Sequence, residues 1–133
     1  NVDPAPPAYG PYPLKTYLDH GIVVMTGSDS GRAPTGVPLF TIFSSVNRLR
    51  RSGKVINPEE RISVEEAIRA VTITPAYSTF EEDLKGSIEP GKLADLVVLG
   101  KDILTVPSLE IKDIPVLRTM MGGEFVYINP DLN

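Results

Sequence analysis

Hydrophobic residues change their spacing several times along this chain of 133 residues. In LKTYLDH, residues 14–20, Leu14, Tyr17 and Leu18 share one face at helical spacing. Gly21 follows, where a helix end favours a residue tolerant of positive φ. Ile22 to Met25 is then unbroken apolar sequence between glycines, the pattern of a strand buried on both faces as in a parallel sheet. Helix, glycine, buried strand and polar loop together make the last part of a βαβ-type unit. Residues 31–38 are expected to be loop. Over 39–52, Leu39, Ile42, Phe43, Val46 and Leu49 line one helical face, and Arg48, Arg50 and Arg51 suit the negative end of the helix dipole. Gly53 stops this helix, and KVINPEERI is a connector turning at Asn57-Pro58. Ser63 and Glu66 form a capping box that opens a helix carrying Val64, Ala67, Ile68 and Val71 on one face. Thr74-Pro75 is expected to cap and begin a further short helix, PAYSTF.

After about Glu82 the pattern becomes one of short strands and turns. EPGK, residues 89–92, places Pro then Gly at the centre of a type II turn. Strands are expected over Ala94–Leu99, Val116–Met121 and Phe125–Ile128, the last two joined by Gly122-Gly123 as a two-residue hairpin. The chain thus passes from α/β to antiparallel β. Its first thirteen residues hold five of the 13 prolines and read as an extended linker.

Composition narrows the classes of function. Apolar residues make up 41% and charged residues 23%, ordinary for a globular protein. The net charge is -4 with both signs interspersed, so no basic stripe invites nucleic acid. No apolar run reaches the roughly 20 residues of a membrane-spanning helix, so no membrane partner is expected. The absence of cysteine removes disulfides and thiolate metal sites. Together with the lack of a visible signal peptide, it leads to the expectation of a cytoplasmic protein. There is a single histidine, His20, so chemistry that needs several imidazoles cannot be completed by these residues alone.

The candidate chemistry lies in GIVVMTGSDSGRAP, where the apolar run ends in Gly27-Ser28-Asp29-Ser30-Gly31. The plainest reading is a strand-end turn, because short polar side chains satisfy loose backbone groups there. A serine nucleophile elbow needs G-x-S-x-G, and here the central residue is Asp29. The Asp29-Ser30-Gly31 triplet lacks the context of a trypsin-like site. A phosphate loop is opposed by the charge of Asp29 and by Pro34. A carboxylate at the C-terminal edge of a parallel strand is the remaining reading, since active sites are built at that edge. Such a group can bind a divalent metal or accept a proton from water.

Three segments carry a resemblance. Tyr12 to Ser30 (YPLKTYLDHGIVVMTGSDS), Asn57 to Ser78 (NPEERISVEEAIRAVTITPAYS) and above all Lys85 to Leu104 (KGSIEPGKLADLVVLGKDIL) resemble the C-terminal portion of the amidohydrolase superfamily, specifically the YtcJ-like metal-dependent hydrolases. The resemblance implies the end of a (β/α)8 barrel over residues 1–82 and part of a small β-sandwich over 83–133. It implies hydrolysis of amide-type C–N or related bonds in a small-molecule substrate, with one or two divalent metals, often zinc. Asp29 matches the aspartate that ends strand eight, with Ile22 to Thr26 as that strand, and takes the role of metal ligand and general base. Ser28 and Ser30 are expected to orient it or to cap the strand end. Arg32 is read as a loop residue, and His20 as a helix-end residue away from the site. The family's H-x-H pair, bridging residue and later histidines do not occur here. The expectation is therefore a segment of a longer enzyme, inactive alone, with the rest of that polypeptide and a second copy as possible partners. The alternatives are a small stand-alone α+β binding module using loop 27–36 for an anionic ligand, and an inactive paralogue. Gly86 and Gly91 are assigned to turns, Asp95 to a backbone bond in a turn, and Arg48 to Arg51 to a helix end.

Overall fold

The computed structural model describes residues 12–28, 38–50 and 52–131. Helix α1 spans Leu14–Asp19, and Gly21 follows its C-cap His20 at φ +71, as expected of a helix terminator. Helix α2 spans Pro38–Asn47 and supplies Leu39, Ile42 and Phe43 to the core. A one-turn 3-10 helix, η1 (Pro58–Glu60), leads to α3 (Val64–Val71) and α4 (Ile73–Ser78). The capping box at α3 is present in both directions: the Glu66 amide donates to Ser63 Oγ at 3.1 Å and the Ser63 amide to Glu66 Oε2 at 2.7 Å.

Two helix limits differ from expectation. Helix α2 ends at Asn47, before the arginines. The buried Asn47 amide donates to the carbonyls of Phe43 and Ser108, both at 3.0 Å, and accepts from the Ser108 hydroxyl at 2.8 Å. Arg48 then takes φ +54, which breaks the helical path, and Arg48 and Arg50 enter a tight reversal closed by a Leu49–Val55 bridge. Arg48 and Arg50 therefore lie beyond the helix and not in its last turn. Helix α4 begins at Ile73 with Thr72 as its N-cap, so Pro75 lies inside its first turn, where the missing amide costs no intrahelical bond.

The expected strand at Ile22–Met25 is corrected. Residues 22–28 are neither helix nor strand. Only Val24 of the apolar run is buried, while Ile22, Val23 and Met25 are each more than half exposed. A strand buried on both faces needs a neighbour on each edge, and none pairs with this segment among the described residues.

Strands β1 (Leu96–Leu99), β2 (Val116–Met121) and β3 (Glu124–Ile128) form an antiparallel sheet in the order β1-β2-β3. Gly122 and Gly123 turn the β2–β3 hairpin at φ +56 and +89, a geometry that both positions of a type I′ turn require. Asp95 Oδ1 accepts the Gly122 amide at 2.7 Å, the backbone bond expected of it. Gly86 is tight as well as left-handed (φ +94). A Cβ there would lie 2.9 Å from both Ala76 Cβ and Ile73 Cα, so this glycine lets the connector cross close over α4.

The core joins α2 to a second 3-10 helix, η2 (Ser108–Asp113). Leu39, Ile42 and Phe43 pack with Ile62, with Ala67 of α3, and with Ile111 and Ile114. At three residues per turn, Ile111 and Ile114 fall on the same side of η2. Ala67 and Ala70 are the buried residues of α3, small enough to bring it close to α2.

Helix α1 is fastened to the linker before α3 by one carboxylate. Glu60 is 5% exposed, and it accepts the Thr16 amide at 2.9 Å and the Thr16 hydroxyl as well. These donors hold its pKa below the ordinary carboxylate value, with Arg48 adding to the effect. The native state therefore binds the Glu60 proton less readily than the unfolded chain. The stabilisation is complete above an unfolded value of about 4.3 and is lost as pH falls through the lower native value. Glu60→Gln is expected to cost about 1–3 kcal/mol at pH 7 and to flatten the loss of stability below about pH 4.5. Urea midpoints from pH 7 down to pH 3 check this, and an unchanged acid slope in the variant refutes it.

Candidate active site

The segment that delivers the Gly-Ser-Asp sequence is held at three points. The Ile22 amide donates to Tyr17 O at 2.9 Å, Val24 is buried, and the Thr26 amide donates to Ala70 O at 2.9 Å. The last bond ties the segment to the end of α3 just before Gly27 and Ser28. Asp29, Ser30 and Arg32 lie outside the described residues, as does the remainder of the loop through residue 37.

A cleft of about 250 Å³ opens beside Ser28. Its walls include Tyr12, Thr26, Ser28, Thr41, Ser44 and Arg48. Thr26 Oγ1 is buried and has no hydrogen-bond partner among the described residues. The neighbouring Ser45 hydroxyl donates to Thr41 O at 3.0 Å. Arg48 donates through Nε to Ile56 O at 3.3 Å. Burial pulls its pKa down, while Glu60 and Glu59 push it back up. Among the described residues lining this cleft, none is acidic. A larger cleft of about 420 Å³ borders Val23 and is lined with both signs of charge, including Arg69, Lys92, Glu82 and Asp83.

His20 stands at the end of α1, with Nδ1 2.8 Å from Thr16 O, the helix-end position expected of it. Among the described residues, no group of three or more His, Asp or Glu side chains is arranged to hold a metal ion. The described residues therefore do not make up a metal centre, and Asp29, the ligand expected from the resemblance, lies outside them. Ser28 lines the cleft, while the Asp29 side chain it was expected to orient lies outside the described residues. The contributions of Thr41, Ser44 and Arg48 were not anticipated. Thr41 and Ser44 stand three residues apart on α2, but Arg48 has already left the helix, so only the fold brings the three to one cleft.

Residues 1–127 match the sequence profile of a family described as the Amidohydrolase family. The N-substituted formamide deformylase of Arthrobacter pascens is 34% identical over 118 residues, covering 87% of this chain and 21% of that protein. A Bacillus subtilis (strain 168) protein carrying the name YtcJ is 31% identical over 116 residues, covering 85% of this chain and 22% of its own length. The crystal structure of an amidohydrolase from Thermotoga maritima MSB8 superposes with a TM-score of 0.67 at 22% identity, over 87% of this chain and 26% of that one. This chain spans about a fifth of the length of these two curated relatives.

Proposed function

The chain belongs to the amidohydrolase family, and from that premise we propose that it is the C-terminal part of a hydrolase acting on amide-type C–N bonds of small molecules. The observation that carries this reading is the family match across nearly the whole chain, with a deformylase among the relatives it resembles. In this reading, residues 1–82 close a (β/α)8 barrel, residues 83–133 belong to a small β-sandwich, and the other barrel strands lie elsewhere in the same polypeptide. The free edges of residues 22–28 support this, because Ile22, Val23 and Met25 would be covered by neighbouring strands of such a barrel.

Asp29 carries the proton. As water adds to the amide carbonyl, a carboxylate beside it accepts the water's proton, and the same group then delivers that proton to the departing nitrogen. Members of the family generally use divalent metals, and Asp29 is also the residue proposed to ligate one, with zinc the ion expected. The remaining donors are absent from the described residues, so no step is derived through the ion. The Thr26–Ala70 bond, three residues before Asp29, anchors the chain that leads to it.

The test is hydrolysis by the complete polypeptide that contains this chain, assayed on a panel of N-substituted amides by release of primary amine. Turnover of at least one amide above the uncatalysed rate is the expected result. Failure on every amide, with the protein folded and metal-replete, overturns the reading.

A further inference from the structure

We infer that Glu60 is a positioning residue: through α1 it holds the chain that leads to Asp29, an inference that rests on the hydrolase reading for what Asp29 does. Glu60 stands on a fixed stretch of chain. Before it, the Ile56 amide donates to Arg48 O at 2.9 Å. After it, Arg61 Nε donates to Asn47 O at 3.3 Å, and Ile62 is buried in the core cluster. Glu60 is itself buried, which strengthens its hydrogen bonds by excluding water. The donors come from the opening turn of α1. Pro13, the N-cap residue, provides no side-chain cap, and the first amides of a helix have no partner within it. The Thr16 amide is one of these. Glu60 Oε2 accepts it at 2.9 Å, while Oε1 accepts the Thr16 hydroxyl.

Leu14 and Leu18 also pack α1 against the core. Such packing is non-directional, whereas two donors on two carboxylate oxygens favour one orientation. Helix α1 then passes through Gly21 into residues 22–28. The Ile22 amide donates back to Tyr17 O at 2.9 Å, so this segment starts from a fixed point on the helix. Its far end is tied by the Thr26 amide to Ala70 O. One end of the chain to Asp29 is therefore set by α3 and the other by α1, and α1 is set by Glu60. Without Glu60 the tie to α3 remains, and the α1 end is free to shift. A reacting group displaced by about 1 Å can cost about 10²-fold in rate.

The test compares the complete polypeptide that contains this chain with its Glu60→Gln variant at pH 7. Glutamine keeps the side-chain length and one acceptor oxygen, and turns an NH2 toward the second donor. Hydrogen–deuterium exchange read by peptide mass is expected to speed up over residues 14–28 by at least about fivefold. The β2–β3 hairpin, residues 116–128, serves as the reference and should not change. On an N-substituted amide that the parent turns over, kcat should fall about 10- to 100-fold with KM within about twofold. A role in stability alone would instead lower the folded fraction and speed exchange in the hairpin as well. Should Glu60→Gln fail to fold, Thr16→Val keeps the amide donor and loses the hydroxyl, and the same pattern is expected at about two- to fivefold. Unchanged exchange over residues 22–28, an equal rise over residues 116–128, or an unchanged kcat overturns the inference. If the parent turns over no amide, the hydrolase reading falls, and the exchange comparison still decides whether Glu60 holds residues 22–28.

Discussion

Asp29→Asn, made in the complete polypeptide, is expected to lower kcat/KM by about 10² to 10⁴-fold while the protein stays folded. The substitution keeps the size and planarity of the side chain. It removes the capacity to accept a proton, since a neutral amide is not a base at neutral pH. The attacking water then keeps its proton through the addition, and the departing nitrogen leaves without one. Far-UV circular dichroism checks the fold, and metal content measured beside turnover separates the two roles given to Asp29. Metal retained with turnover lost assigns the proton; metal and turnover lost together assign the ligand. A variant with near-normal kcat/KM disproves both roles.

Ile111→Ala is expected to cost about 2–5 kcal/mol. Ile111 is 0% exposed and packs from η2 into the cluster of Leu39, Ile42, Phe43 and Ile62. Truncation removes its transfer free energy and leaves a void that α2 and η2 are too constrained to fill. The two elements are tied rigidly together by Asn47, which bonds both the Ser108 carbonyl and its hydroxyl. Since whole domains are stable by only about 5–15 kcal/mol, this one change removes a large share of the total. Ile111→Val should cost about 0.5–1.5 kcal/mol. Urea unfolding followed by circular dichroism checks both, and an alanine variant within about 0.5 kcal/mol of the parent disproves the place given to η2 in the core.

Neither Ile111 nor the cleft was legible in the sequence, whereas several other features were. The Ser63–Glu66 capping box, the Gly122-Gly123 hairpin and the turn at Gly91 were readable, because each is decided by backbone geometry within a few residues. Asp95 was assigned to a turn, but its partner, the Gly122 amide, lies 27 residues away and only the fold identifies it. The end of α2 was misplaced because helical periodicity runs on through Leu49, while the chain turns at Arg48 (φ +54), next to an Asn47 side chain bonded to Ser108, 61 residues on. Nothing in the connector KVINPEERI singled out Glu60. Its burial follows from Thr16, 44 residues earlier in the chain.

The apolar run Ile22–Met25 marks the boundary between the two kinds of information. The sequence determined its hydrophobicity, its bounding glycines and the Gly-Ser-Asp that follows, while the match over residues 1–127 as a whole places the chain in its family. Whether it forms a strand is not a property of the run itself, because a strand exists only through hydrogen bonds to neighbours. The tertiary structure decided that Val24 is buried, that Thr26 is tied to Ala70, and that Thr26, Thr41, Ser44 and Arg48 share one cleft. Local spacing carries propensity and caps, while burial and convergence are set by groups that only folding brings within reach.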